Sequence, residues 1–184
     1  MNRITDERIE LFDSLMINEV DENFRQWLID NGFFTAPAST KFHGSYPGGL
    51  FDHSLNVALE LFDLTSKFDL EWERPESPFI IGMFHDLCKI DQYLYNTVTK
   101  TYSWNTATKY VGHGDKSVKL LLEHMTLTQE EIDCITEHMG AFTDKAKWPN
   151  FTEAIKRHKN VLYTHFADMI ASHIIEVDEQ KMKE

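Results

Sequence analysis

The chain has 184 residues, with 18 Lys and Arg against 30 Asp and Glu, a formal net charge of −12, nine His and two Cys. The length suits one domain, and a hydrophobic fraction of 42% suits a packed core rather than disorder. No apolar run approaches the length of a bilayer span, two Cys are too few for a disulfide framework or a Cys-rich zinc site, and the acidic charge disfavours a partner such as long duplex nucleic acid.

The N-terminus, MNRITDERIELFDSL, is charged where a signal peptide needs an apolar stretch, so a cytoplasmic protein with no membrane partner is expected. Residues 5–16 carry Ile9, Leu11, Phe12 and Leu15 at helical spacing, and residues 18–31 carry Val20, Phe24, Trp27 and Leu28 likewise. Residues 1–30 hold eight acids and three bases, a composition suited to solvated outer faces. Gly32 and Pro37 break the pattern, and Pro47-Gly48-Gly49 ends the next loop. A helix is predicted from about Leu50 to Lys67, and another from Pro78 to about Ile90. The run from 92 to 107 is rich in Tyr, Thr, Trp and Val, with a polar turn near Thr99-Lys100, and predicts a small β-hairpin.

Helix is predicted again over about Asp115–Met125. Thr128 and Glu131 form a capping box for a helix over about 129–139, with Gly140 as its stop. Trp148-Pro149-Asn150 reads as a loop, followed by one long helix over about 151–176 and a frayed charged tail, 177–184. There is no repeat, low-complexity tract or linker, so 1–184 reads as one all-α domain with a hairpin insertion. Its parts are the N-terminal helices, 1–35, and a core, 40–176.

Several His and Asp fall on apolar helix faces. His53 shares a stripe with Leu50, Val57 and Leu61, and His85-Asp86 follows Ile81 within FIIGMFHDLCKI. His138 follows Ile135 by one turn, Asp168 lies in a helix whose apolar face includes Val161 and Ile175, and His113 sits in GHGDKS before a helix start. A single such His is usually a hydrogen-bonded core residue. A buried Asp costs several kcal/mol unless it is paired or metal-bound. Two such Asp and four such His come from five segments spaced about one helix and connection apart, so a helical bundle can point all of them at one centre. Imidazole and carboxylate suit Mn, Fe, Ni, Co or Zn without any thiolate.

His53, then His85-Asp86, then Asp168 resembles the H…HD…D signature of the HD-domain metal-dependent phosphohydrolase superfamily. The words YPGGLFDHSLNVA, MFHDLCKID, VGHGDKSV, EHMG and ADMIAS are similar to segments of its two-metal subgroup, which includes the catalytic domain of YhaM-type 3′–5′ exoribonucleases. The resemblance covers roughly residues 40–176 and implies an HD-domain helical bundle. It implies one divalent transition-metal ion bound by His53, His85, Asp86 and Asp168, and a second bound by His113 and His138, with Asp86 bridging. Lys89 matches the Lys of the family's HDxxK word, so Asp86 and Lys89 are the implied catalytic residues, with Lys89 contacting phosphate or assisting proton transfer. The implied reaction is hydrolysis of a small phosphoester partner, a nucleotide or short oligonucleotide, by water activated between two ions. Two alternatives share the ligand set: a di-iron oxygenase of the same fold, and a non-catalytic nucleotide-binding module.

The chain departs from the family at Cys88, where many members have Gly, and Cys88 reads as a small core residue rather than a ligand. Residues 1–35 read as helical and acidic where a nucleic-acid-binding OB-fold would show short strands, which argues against a processive ribonuclease. Candidate substrate contacts are His43 and Tyr46 in KFHGSYPGG, Lys116 and Ser117 at a helix start beside His113, and Trp148 as a base-stacking ring. Each has a plainer alternative in loop packing, helix capping or the core. Trp104 is a second stacking candidate, and His165 a candidate partner of a ligand. His124, His158 and His173 read as ordinary polar residues. Residues 89–119 carry five Lys and two Asp with no Arg or Glu, the stretch best suited to face phosphate.

Overall fold

The computed structural model describes residues 3–177. Two N-terminal helices, α1 (Arg3–Met16) and α2 (Glu22–Asp30), turn Ile9, Phe12, Met16, Phe24 and Leu28 inward. α2 starts later than the periodicity suggests, because the Asp21 side chain accepts from the Phe24 N–H and fixes the N-cap there. Phe33 and Phe34 follow in a buried loop and pack edge-on against Phe12.

α3 (Gly49–Phe68) is the central helix, with Leu50, His53, Val57 and Leu61 buried along one stripe. Arg8 of α1 grips Asp52 at its start through two hydrogen bonds of 2.7 and 2.6 Å. α4 (Ser77–Phe84) crosses α3 where Gly82 meets Ala58, so closely that a side-chain carbon on Gly82 would overlap the Ala58 backbone. α5 (Gly114–Leu121), α6 (Gln129–Glu137), α7 (Trp148–Arg157) and α8 (Asn160–Ile170) complete eight α-helices among the described residues. α6 packs on α5 and α8, and α8 packs on α3. The two strands β1 (Tyr93–Asn96) and β2 (Thr101–Trp104) form an antiparallel hairpin in which Tyr93 pairs with Trp104 and Asn96 with Thr101. The architecture is therefore all-α with the small hairpin expected at 92–107. No helix among the described residues is long and apolar enough to cross a membrane.

Four predicted elements differ from the structure. The helix expected to run from Pro78 to Ile90 stops at Phe84, and a 3-10 turn follows over Leu87–Asp91. Ser117 supplies the reason: its hydroxyl accepts the Cys88 N–H, diverting a donor that an unbroken helix would spend on its own carbonyl. The helix expected to 125 ends at Leu121. Trp148-Pro149-Asn150 is not a loop but the first turn of α7, where the proline has no N–H to waste. The long helix expected over 151–176 is broken at His158, which is extended. Just beyond it, the buried Asn160 amide donates to the Glu71 carbonyl and to Glu130, anchoring the start of α8. Of the tail expected to fray, Val177 is helical and 178–184 lie outside the described residues.

Candidate metal centre

The break after α4 shapes the centre. Asp86 sits just past the helix end at φ −103°, ψ 16°, the sparsely allowed bridge region that active-site residues often occupy. Its carboxylate is buried, and its two oxygens face different partners. Oδ2 lies 3.5 Å from His53 Nε2, 3.4 Å from His85 Nε2 and 2.5 Å from the Lys89 ammonium. Oδ1 lies 3.0 Å from His113 Nε2 and 3.6 Å from His138 Nε2. Asp168 Oδ1 reaches His53 Nε2 at 3.3 Å. The structure thus gathers all six residues named from the sequence as metal ligands, together with Lys89.

The imidazoles are held in one sense. His85 Nδ1 donates to the Gly82 carbonyl at 2.8 Å, and His138 Nδ1 to the Ile135 carbonyl at 2.7 Å. His53 Nδ1 meets the Glu176 carboxylate at 2.7 Å. A proton fixed on Nδ1 leaves the Nε2 lone pair free. These three Nε2 atoms and Asp86 Oδ1 are buried and have no hydrogen-bond partner. Buried polar atoms without partners are few in folded proteins, and a cluster of them around one carboxylate calls for an absent group. Nitrogen and oxygen donors converging in this way fit a divalent transition metal.

The electrostatics agree. Burial alone would push the Asp86 carboxyl upward, but the charges of Lys89, His85 and His113 outweigh it and hold it well below the usual range. Burial opposes charge on His53, yet the surrounding carboxylates of Asp168, Asp86 and Glu176 raise its pKa well above the ordinary value. His138 is also raised, because Asp86 offsets its burial. Burial pulls His85 and His113 down.

The centre opens into a cleft of about 1160 Å³. Lys41, Lys89 and Lys116 line it, and among the described residues the acids in its wall are Asp86 and Asp168. Trp104 from β2 and Phe142 stand at the wall, 65% and 63% exposed.

The substrate candidates divide. His43 lines the cleft with its ring 4.8 Å from that of His53, and burial together with the charges of His53 and Lys89 lowers its pKa to about 4. Lys116 also lines it, buried and paired with Asp91. Tyr46 instead donates to Asp52 at 3.0 Å, away from the cleft wall. Ser117 is spent on the Cys88 N–H, and Trp148 lies at the head of α7 outside the cleft wall. His165 lines the cleft and donates from Nδ1 to the His138 carbonyl at 2.8 Å. His173, read as an ordinary polar residue, also lines it.

Two contacts went unread in the sequence. Glu176 falls at the end of the helix that the sequence predicts, and nothing in its spacing from Asp168 marks it. Cys88 was assigned to the core; its thiol is buried but lies 3.1 Å from His113 Nδ1, and burial pushes it up to about 12. The remaining signal for Cys88 was its position two residues after Asp86, on a turn whose neighbours face the centre. No family model, curated protein or solved structure matches the chain.

Proposed function

We propose that this chain is a metal-dependent phosphohydrolase of the HD-domain class that cleaves a phosphoester of a nucleotide or short oligonucleotide. The observation that carries the reading is the set of three histidines with Nδ1 occupied and Nε2 free, all turned on Asp86. His53, His85, Asp86 and Asp168 would hold one ion. His113 and His138 would hold a second, with Asp86 shared between the two. Such a pair, when bound, supplies a water that ionises near neutral pH and positive charge for the phosphoryl oxygens.

The chain's own groups do the rest. Lys89 is held at the cleft wall by Asp86, with an ammonium that can donate to a phosphoryl oxygen. Lys116 adds a second positive charge, kept in place by Asp91. His43, neutral at physiological pH, covers His53 without adding charge. The exposed rings of Trp104 and Phe142 suit the apolar body of a nucleoside. Both cysteines are free and buried, which supports a reducing compartment such as the cytoplasm.

Elemental analysis of the purified protein tests the reading, followed by phosphate release from nucleotides and short oligonucleotides with Mn, Fe, Co, Ni or Zn. Asp86→Ala is expected to lose bound metal and phosphate release together. Normal metal content and turnover in that variant would overturn the assignment. So would oxygen uptake by iron-loaded protein without phosphate release, which is the oxygenase outcome. Tight nucleotide binding without turnover by the metal-replete protein is the binding-module outcome.

A further inference from the structure

We infer that Glu176 is a positioning residue of this centre: it holds His53 in the tautomer that binds metal, and the π-turn at 171–175 brings it there. The inference rests on the metal-binding reading above and deepens it.

The register carries the argument. In an α-helix seven residues make about two turns, so Ile175 would stand in line with Asp168. Instead α8 gives way to a π-helical turn over Ala171–Ile175, in which the Glu176 N–H bonds to the Ala171 carbonyl. The wider turn absorbs one extra residue. Glu176 therefore takes the inward place, buried, while Ile175 is only partly buried. Exchanging an isoleucine for a carboxylate at an interior position is costly unless the charge is used. Here one oxygen meets His53 Nδ1 at 2.7 Å, and the other is buried with no hydrogen-bond partner.

His53 differs from His85 and His138 in this respect. Their Nδ1 atoms are fixed by backbone carbonyls, whereas His53 is fixed by a charged side chain. A carboxylate behind an imidazole secures its tautomer and raises its basicity as a ligand.

The test has two readouts on the full chain. In metal-free protein, nitrogen-edited NMR of the imidazoles is expected to show a strongly downfield Nδ1 proton on His53 that disappears in Glu176→Ala. Equilibrium dialysis with Mn or Co is expected to show Glu176→Ala weakening the ion at His53 by about ten- to a hundredfold. Glu176→Gln, which keeps an oxygen acceptor, should recover most of that affinity and the proton signal. Deleting the exposed Ile174 removes the extra residue and keeps the carboxylate on the Asp168 line in a regular helix; it should bind metal as the parent does. Wild-type affinity with an unchanged proton signal in Glu176→Ala would overturn the inference. So would an Ile174 deletion that loses as much affinity as Glu176→Ala. A parent protein that binds no divalent ion would defeat the functional reading instead, while the metal-free NMR signal still decides whether Glu176 fixes His53.

Discussion

Lys89 and Asp86 show how one residue contact sets competing demands. The ammonium lies 2.5 Å from Asp86 Oδ2, the oxygen that faces His53 and His85. A cation bound there would share that oxygen with Lys89 and be repelled by it. Lys89→Met should therefore lower kcat by about a hundredfold or more, the usual cost of removing a donor aimed at developing charge, without weakening metal binding. Steady-state kinetics beside equilibrium dialysis separates the two effects, and a fall in affinity equal to the fall in rate would count against a substrate-facing role. Cys88 sets a second demand. A thiol is a weak hydrogen-bond partner as donor or acceptor, so His113 is held less firmly than the three histidines backed by oxygen. Cys88→Ala should loosen the ion on the Oδ1 side by about tenfold and leave the other in place. The thiol touches Nδ1, on the far side of the ring from Nε2, so cobalt-loaded protein should lack a thiolate charge-transfer band; a strong band would make Cys88 a ligand. Protons also compete for the centre. His53 and His138 are pushed above the ordinary imidazole value, so a metal competes with protons for their Nε2 lone pairs. Raising the pH frees these ligands, and affinity measured by chelator competition should climb as pH rises from about 6.5. An affinity that fell over that range would mean that protonated histidines are not what the metal displaces.

At the scale of elements, the sequence was informative wherever local chemistry decides the outcome. The Thr128–Glu131 capping box starts α6 as expected, because both reciprocal bonds lie within one turn of chain. The stripe Leu50, His53, Val57, Leu61 fixes which face of α3 is buried, and that face carries the candidate ligand His53. The breaks were illegible because distant partners impose them. Ser117 reaches Cys88 from 29 residues away, and Asn160 reaches Glu71 from 89. The same reason hid Glu176, whose inward turn depends on a π-turn with no Gly or Pro to announce it. Of the six candidate ligands, His53, His85, His138 and Asp168 were legible because helical spacing puts them on apolar faces, whereas Asp86 and His113 stand beside helix ends and were marked by their neighbours and the family resemblance. Close packing then sets their separation. Gly82 lets α4 approach the Ala58 backbone of α3, and these helices carry His53 and lead into His85. On an exposed helix Gly→Ala gains about 1 kcal/mol. Gly82→Ala should instead destabilise by about 1–3 kcal/mol through overpacking and weaken metal binding as the two histidines part. Thermal melts with and without metal measure both effects, and an unchanged or higher Tm would show that the crossing has room.

At the scale of the whole molecule, a net charge of −12 and a cleft proposed to take phosphate stand in tension. The cleft resolves it locally. Lys41, Lys89 and Lys116 line its wall, and its acids among the described residues are Asp86 and Asp168, which two divalent ions would more than neutralise. A cation-lined cleft focuses field on an anion small enough to enter it, whereas a long polyanion also meets the acidic exterior. Salt screens both effects, over about 10 Å at 0.1 M ionic strength, but with opposite consequences. For a dinucleotide, kcat/KM should fall as ionic strength rises, because salt weakens the attraction of the cleft. For a single strand of about thirty nucleotides it should rise, because the strand extends beyond the cleft over the acidic surface and salt first relieves that repulsion. The comparison is made with one metal, one pH and both substrates at concentrations below KM, so that encounter rather than chemistry is read. A steep fall for both substrates would mean that the long strand follows a basic track on the surface. The charge balance of this chain would then not be what limits substrate length.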